Sequence, residues 1–455
     1  MSDTIAAIAT ALVPSAIGII RLSGPDSIAV LDRVFTPAAG APMSARPDRM
    51  LVYGALHDES GAVIDHCLAT VSRGPRSYTG EDTAELQCHG SPTALTMGLE
   101  ALFAAGARQA KAGEFTRRAF LAGKLDLTRT EAVADLIHAE SPAAVRQAAG
   151  QLGGALEQTV AEIYDHLTDL MAHFHAVLDY PDEDIEPFEA AEISAALTEA
   201  GRKLNALSAS YRRGRALVEG IPCAIIGRPN AGKSTLFNAL LGYDRAIVTP
   251  IAGTTRDTVE ERLNLGGILL RLIDTAGLRD TDDQVERLGV ERSRAALTQA
   301  ELVLAVVDSR SALSPEDEEI LQLALGAPHC VIIENKADLP GETHPLPVPE
   351  GTPVVRLSAL TGDGLDALES AIAALFPEDT GLRPGTLLTN ARQAEAAGRA
   401  QQSVERAAQA LSCGLSPDAV LSDVEEALEA LGELTGRSVR EDVTARIFER
   451  FCVGK

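Results

Sequence analysis

The stretch that most limits what this chain can fold into is Gly227-Arg228-Pro229-Asn230-Ala231-Gly232-Lys233-Ser234. An apolar run, PCAIIG, leads into it and a helix-like run, TLFNALLG, leads out. The spacing G-x-x-x-x-G-K-[ST] between a strand and a helix is that of a phosphate-binding loop. Its glycines let backbone N–H groups close around a pyrophosphate, and the following helix N-terminus favours the negative charge. Asn230, Ala231, Gly232 and Thr235 line such a loop, Lys233 reaches the β- and γ-phosphates, and the Ser234 hydroxyl is placed to ligate Mg²⁺. Four further apolar runs, ILLRLIDT, LVLAVVD, CVIIENK and PVVRLSA, are of parallel-sheet type, so residues 217–379 are expected to form an α/β domain.

The base is read from downstream residues. Asn335-Lys336-Ala337-Asp338 follows one strand and Ser358-Ala359-Leu360 follows the next. A buried carboxylate at Asp338 can accept two N–H bonds from the edge of guanine, and adenine offers no such pair, so the site is expected to reject adenine by leaving a polar group unpaired. With Asp274-Thr275-Ala276-Gly277 between strands, the motif set is that of a translation-factor-type GTPase rather than of a P-loop ATPase. Ras-like enzymes place a Gln directly after the DTAG glycine to orient water. Here the position is Leu278, which cannot do so, and another group must.

The 455 residues are too many for one ordinary domain. Residues 1–120 alternate short β-like runs (IGIIRLSG, MLVYGAL, AVIDHCLATV, TAELQCHG) with helical stretches, an α+β pattern. Residues 121–216 turn helical, with Leu152, Leu156, Val160, Ile163, Leu167, Leu170, Phe174 and Leu178 stepping by three or four. Helical periodicity returns over residues 380–455, so the α/β domain is expected to interrupt a helical one. The apolar N-terminus has no basic segment before it and is broken by Pro14, which favours a strand running into a turn over a signal peptide. No run spans a membrane. The six cysteines are scattered and form no C-x-x-C, which argues against zinc knuckles and disulfide frameworks and for a reducing, cytoplasmic setting.

The motifs GRPNAGKST, TPIAGTTRD, DTAGLRD and NKAD, with YTGEDTAELQCHG, GEFTRRAFLAGKLDLTRTEAVADLI and a terminal FCVGK, resemble those of the MnmE (TrmE) family of bacterial tRNA-modification GTPases from end to end. The resemblance implies an N-terminal folate-binding domain that also mediates homodimerisation, a helical domain built from two chain segments, and an inserted Ras-like domain. It implies a K⁺-dependent GTPase acting with MnmG, a partner that carries FAD and uses NADH, in a heterotetrameric or larger complex. Together they would install a carboxymethylaminomethyl (or aminomethyl) group at C5 of wobble uridine 34 in certain tRNAs. A 5-formyl- or 5,10-methylene-tetrahydrofolate would supply the one-carbon unit.

Carried over by position, Asn230 and oxygens of Thr249, Ile251 and Thr254 would hold K⁺, and Ser234 and Thr255 would hold Mg²⁺. Glu286 would orient water indirectly, and Arg21, Glu85, Lys124 and the terminal Lys455 would contact the folate, with Cys452 a candidate nucleophile beside them. The chain departs from the family in having Leu12-Val13-Pro14-Ser15-Ala16 where a glycine-rich stretch is usual.

Two other readings compete. One is an RNA-binding ribosome-assembly GTPase, which shares the loop motifs but generally carries a basic appendage. Here residues 217–380 hold 13 basic and 26 acidic residues and the remainder 27 and 39, so neither part is basic. The net charge of −25 likewise opposes a broad electrostatic grip on nucleic acid. The other is a folate enzyme with a regulatory GTPase, which flavin-free turnover of a small amine would reveal.

Overall fold

The computed structural model of the chain describes residues 3–179, 190–242, 261–273, 297, 299–310, 312–340, 345–376, 383–437 and 454. The chain divides into two compact units, Met1–Ala134, Gln151–Gly201 and Arg399–Lys455 in the first, and Asp135–Gly150 and Arg202–Gly398 in the second.

The first unit is organised by seven strands, β1 (Ile5–Ile8), β2 (Ser15–Ser23), β3 (Phe35–Pro37), β4 (Val52–His57), β5 (Val63–Ser72), β6 (Thr83–Gly90) and β7 (Arg108–Gln109). They lie in the order β3-β4-β5-β6-β2-β1-β7, antiparallel throughout except between β1 and β7. Because strand side chains alternate, Ile20, Leu22, Leu56, Ala69, Val71, Ala84 and Leu86 all fall on one face. That face is sealed by α1 (Ser27–Val34) and α2 (Pro92–Ala104), through Leu31, Val34, Leu95 and Leu102. Helix α2 starts where it does because Ser91 caps it, accepting from the Ala94 N–H, with Pro92 in the first turn. The N-terminus runs as a strand into a turn, as its sequence indicates, and Leu12 and Val13 in that turn are exposed.

Helices follow: α3 (Glu114–Leu121), α4 (Leu127–Ile137), α5 (Pro142–Leu152), α6 (Ala155–Asp179), α7 (Ala190–Ala209) and α8 (Tyr211–Glu219). The apolar stripe of α6 is buried at Leu156, Val160, Ile163, Leu167 and Leu170, while Leu152, at the end of α5, is half-buried. Within the first unit α6 packs on a helix from far down the chain, α13 (Pro417–Thr435), which follows α9 (Lys233–Gly242), α10 (Pro315–Leu325), α11 (Leu365–Leu375) and α12 (Ala391–Ser412).

The second unit contains six strands, β8 (Ile221–Ile226), β9 (Glu261–Leu265), β10 (Ile268–Leu272), β11 (Leu302–Asp308), β12 (His329–Asn335) and β13 (Val354–Arg356), ordered β13-β12-β11-β8-β10-β9. All neighbours are parallel except β9, an antiparallel edge. Both faces are covered. Leu302, Leu304 and Val306 of β11 enter one apolar cluster and Val303, Ala305 and Val307 enter another, which is why the run is apolar at every position. Residues before and after this sheet are tied together, since Gln147 donates to the Leu387 carbonyl at 3.0 Å and accepts from the Gly385 N–H at 2.7 Å.

Candidate functional site

The site forms at the C-terminal ends of β8, β11 and β12, where an open parallel sheet leaves a crevice. Between β8 and α9 the loop turns on two left-handed residues, Asn230 (φ 61°) and Gly232 (φ 100°). Asn is among the few side chains that tolerate that region. At Gly232 a Cβ would lie 2.1 Å from Nδ2 of Asn335, so only glycine lets the two loops approach. The Lys233 ammonium donates to the Gly227 and Arg228 carbonyls at 2.8 and 2.9 Å, and burial pushes its pKa down. It is thereby held over the loop, with neutralising phosphate oxygens able to restore what desolvation takes away. Ser234 is half-buried in the first turn of α9 and Thr235 is exposed. Ser234 offers a hydroxyl and Asn230 a carboxamide, oxygen donors suited to Mg²⁺ and K⁺.

The residues at the end of β12 and just after it divide into a buried clamp, Asn335, and an exposed carboxylate, Asp338. Asn335 is 2% exposed; it donates to the Ala231 carbonyl at 2.9 Å and accepts from the Ala359 N–H at 3.0 Å. It therefore clamps the phosphate loop to the Ser358-Ala359-Leu360 loop. At Asp338 one carboxylate oxygen accepts from the buried Ser358 hydroxyl at 2.6 Å, which aims the group. The carboxylate is exposed in this structure, contrary to the buried carboxylate expected from sequence, so it is desolvated only when a base covers it. Leu360 is 78% exposed. Lys336, itself at φ 65°, bonds the Asn230 carbonyl at 2.6 Å and Asp308 at 2.8 Å. Sequence reasoning missed Asp308 because it ends an apolar run and belongs to no motif.

Thr249, Ile251, Thr254, Thr255, Asp274, Thr275, Ala276, Gly277, Glu286, Cys452 and Lys455 lie outside the described residues.

A second polar site lies on the other face of the N-terminal sheet, where Ile5 and Ala7 pack with Ala110 and Phe115. Arg21 and Glu85 are register partners on β2 and β6 and form a 2.8 Å ion pair, both about a quarter exposed. The Arg21 guanidinium lies 5.9 Å from the centre of the Phe115 ring. A carboxylate beside a guanidinium suits a flat heterocycle with donor and acceptor edges, and so fits a pteridine. Lys124 is exposed and its stem lies beside Gly80. Gly454 is buried at φ 103°, and a Cβ there would lie 2.5 Å from the Ile8 carbonyl oxygen, so this residue sits against the end of β1. Sequence reading missed a neighbouring ionic cluster in which Arg108 and Arg118 both bind Asp3 and Glu114, and Arg118 also binds Glu81.

Asp65, Cys67 and Cys88 bring their ligand atoms within 4.8 Å of one another. Both Asp65 oxygens already accept from His89, and contact with Cys67 together with burial pushes the Cys88 thiol far up. The trio is core packing. Among the described residues no helix is long and apolar enough to cross a membrane.

The family model described as GTP-binding protein TrmE N-terminus matches residues 4–124, and that of the MnmE helical domain matches residues 127–452. A protein of Symbiobacterium thermophilum named tRNA modification GTPase MnmE is 46% identical over all of this chain and 99% of its own length. One of the same name from a Roseiflexus species is 44% identical over the same shares. A solved structure of Era with MgGDPNP and nucleotides of 16S ribosomal RNA is 32% identical, covers 40% of this chain and 65% of its own, and aligns at a TM-score of 0.26.

Proposed function

The chain belongs to the MnmE family of tRNA modification GTPases, and from that membership we propose that it is a K⁺-dependent GTP hydrolase of tRNA wobble modification. The observation that carries the nucleotide half is the Asn335 clamp, which fixes the phosphate loop and the Asp338–Ser358 reader in one frame. Guanine brings two N–H donors to Asp338, and adenine would leave that carboxylate covered and unpaired. Lys233 neutralises the β- and γ-phosphates. Ser234 with Thr255 would hold Mg²⁺, and Asn230 with oxygens of Thr249, Ile251 and Thr254 would hold K⁺. These ions supply positive charge where it develops on the transferring phosphoryl group. Glu286 orients the attacking water through an intermediary, in place of a Gln.

The N-terminal domain binds a tetrahydrofolate derivative and pairs two copies of the chain. Arg21 and Glu85 open their mutual ion pair to grip the pteridine edge, while Lys124 and Lys455 take the carboxylates of the glutamate tail. Cys452 is delivered beside them by the terminal segment. With the FAD-containing partner MnmG, in the cytoplasm, the enzyme completes the C5 substitution of uridine 34. The competing ribosome-assembly reading finds no support in the charge distribution, since neither part of the chain is basic.

Steady-state GTP hydrolysis in K⁺ and in Na⁺ at matched ionic strength tests the site. A rate at least about tenfold higher in K⁺, with nucleotide affinity little changed, is expected, because the ion addresses charge of the transition state. Equal rates would contradict the assignment of Asn230.

A further inference from the structure

We propose that Asp308, assigned to no motif, is a positioning residue that sets guanine-nucleotide affinity by holding Lys336 against the phosphate loop. The proposal rests on the nucleotide reading above. Asp308 ends β11 directly beside Asn335 of β12, its register partner, and its residue surface is 8% exposed. Two cations bind it. Arg310 forms a two-pronged contact, Nε to Oδ1 at 2.9 Å and Nη2 to Oδ2 at 2.7 Å, reinforced by its own backbone N–H at 3.1 Å. Lys336 shares Oδ2 at 2.8 Å. Together these bonds, Arg310 first, hold the carboxyl far below its usual range against the opposing effect of burial, so it is a fixed negative charge at any working pH.

The geometry gives that charge a direction. An ammonium has three donors on a flexible stem and goes where acceptors lie. Asp308 supplies the acceptor that brings Lys336 back over the loop, and a second Lys336 donor then reaches the Asn230 carbonyl at 2.6 Å. Lys336 also needs a left-handed backbone, φ 65°, an arrangement that persists only when surrounding contacts impose it. The chain Arg310–Asp308–Lys336–Asn230 therefore latches the base-reading segment to the one loop residue whose side chain is assigned to K⁺. It lies beside the Asn335 clamp but is ionic and nearer the surface, with Arg310 at 40% and Lys336 at 23% side-chain exposure. Releasing it frees the two loops to part, which speeds nucleotide loss more than it alters chemistry on bound GTP.

The test compares full-length wild type with Asp308→Asn, Asp308→Glu, Lys336→Gln and the double variant Asp308→Asn/Lys336→Gln. Equilibrium binding and stopped-flow release of a fluorescent mant-GDP are read well below each melting midpoint, alongside kcat and KM for GTP. Asp308→Asn should weaken mant-GDP binding about tenfold, mostly through faster release, with KM rising more than kcat falls. Asp308→Glu, which keeps the charge, should lie between it and wild type. The double variant should bind no more weakly than Lys336→Gln, since both changes open one latch. Lys336→Gln leaves the Asp308–Arg310 pair intact, so it reports on the latch even if Asp308→Asn folds poorly. Wild-type affinity in Asp308→Asn or Lys336→Gln, losses that multiply in the double variant, or a Glu variant no better than the Asn variant would each overturn the proposal. A wild-type chain that fails to bind mant-GDP at all would overturn the nucleotide reading along with it.

Discussion

Replacing Gly454 by alanine should release the C-terminal tail from the N-terminal sheet while leaving the nucleotide site untouched. The residue is buried at φ 103°, where side chains are strained, and its new Cβ would lie 2.5 Å from the Ile8 carbonyl oxygen and 3.1 Å from the Ala9 Cα. Carbon and oxygen normally meet at about 3.3–3.6 Å, so the overlap approaches an ångström. The obstacle is backbone at the end of a paired strand, which cannot turn aside as a flexible side chain would. The unfavourable φ costs about 1–3 kcal/mol and the overlap a comparable amount, giving about 2–6 kcal/mol in all. Because the residue is next to the chain end, the strain is relieved by local undocking and not by global unfolding. The docked fraction of the tail should fall by about 30-fold or more. Carboxypeptidase release of Lys455, hydrogen exchange at the tail and the melting midpoint read this directly. Faster trimming and exchange, an unshifted main melting transition and unchanged GTP hydrolysis are expected, with tRNA modification lost. A Gly454→Ala chain trimmed at the wild-type rate would refute the reasoning.

Asn335→Ala removes two hydrogen bonds and strands a buried carbonyl and a buried N–H, a loss of about 2–4 kcal/mol; mant-GDP titration should show binding weakened more than tenfold, and unchanged binding would deny the clamp. Glu286→Ala should lower kcat about 10²-fold with nucleotide affinity near normal, and a wild-type turnover would reduce Glu286 to a surface charge. At Glu114, burial alone would raise the carboxyl's pKa, but bonds from Arg108, the Lys111 N–H and Arg118 outweigh it and hold it at about 2 against an ordinary 4.5. A depressed carboxylate stabilises the fold fully above its unfolded pKa and loses that contribution as pH falls. Unfolding followed from pH 5 to 2 should therefore lose up to about 3 kcal/mol in the wild type and markedly less in Glu114→Gln; parallel curves would contradict the ionic account.

Much of the fold was legible because period and apolarity report burial. LVLAVVD is apolar at every position because both faces of β11 are covered, and the α6 stripe is buried where three-and-four spacing puts it. Edge elements were harder. β9, ERLNL, has the polar alternation of a half-exposed antiparallel edge and no run long enough to stand out. At the nucleotide site the sequence singles out residues whose motifs have fixed backbone spacing, Lys233, Asn335 and Asp338 among them. It does not single out those joined by strand register or long loops. Asp308 meets Lys336 only because β11 and β12 pair with Asp308 opposite Asn335, and Asp3 meets Arg108 across 105 positions of chain. Side-chain role was also less legible than identity: Asn335 faces two loop backbones as a clamp, and Asp338 is aimed by Ser358 but left open to solvent.

Membership of the tRNA modification GTPases ties GTP hydrolysis by this chain to modification of the wobble uridine. Mass spectrometry of wobble nucleosides tests it most directly, from a bacterial strain lacking its own gene of this family and complemented with this chain. The wild-type chain should restore a C5 carboxymethylaminomethyl or aminomethyl substituent on uridine 34, and Lys233→Ala should not. Unmodified uridine with a wild-type chain that is folded, expressed and hydrolysing GTP would contradict it.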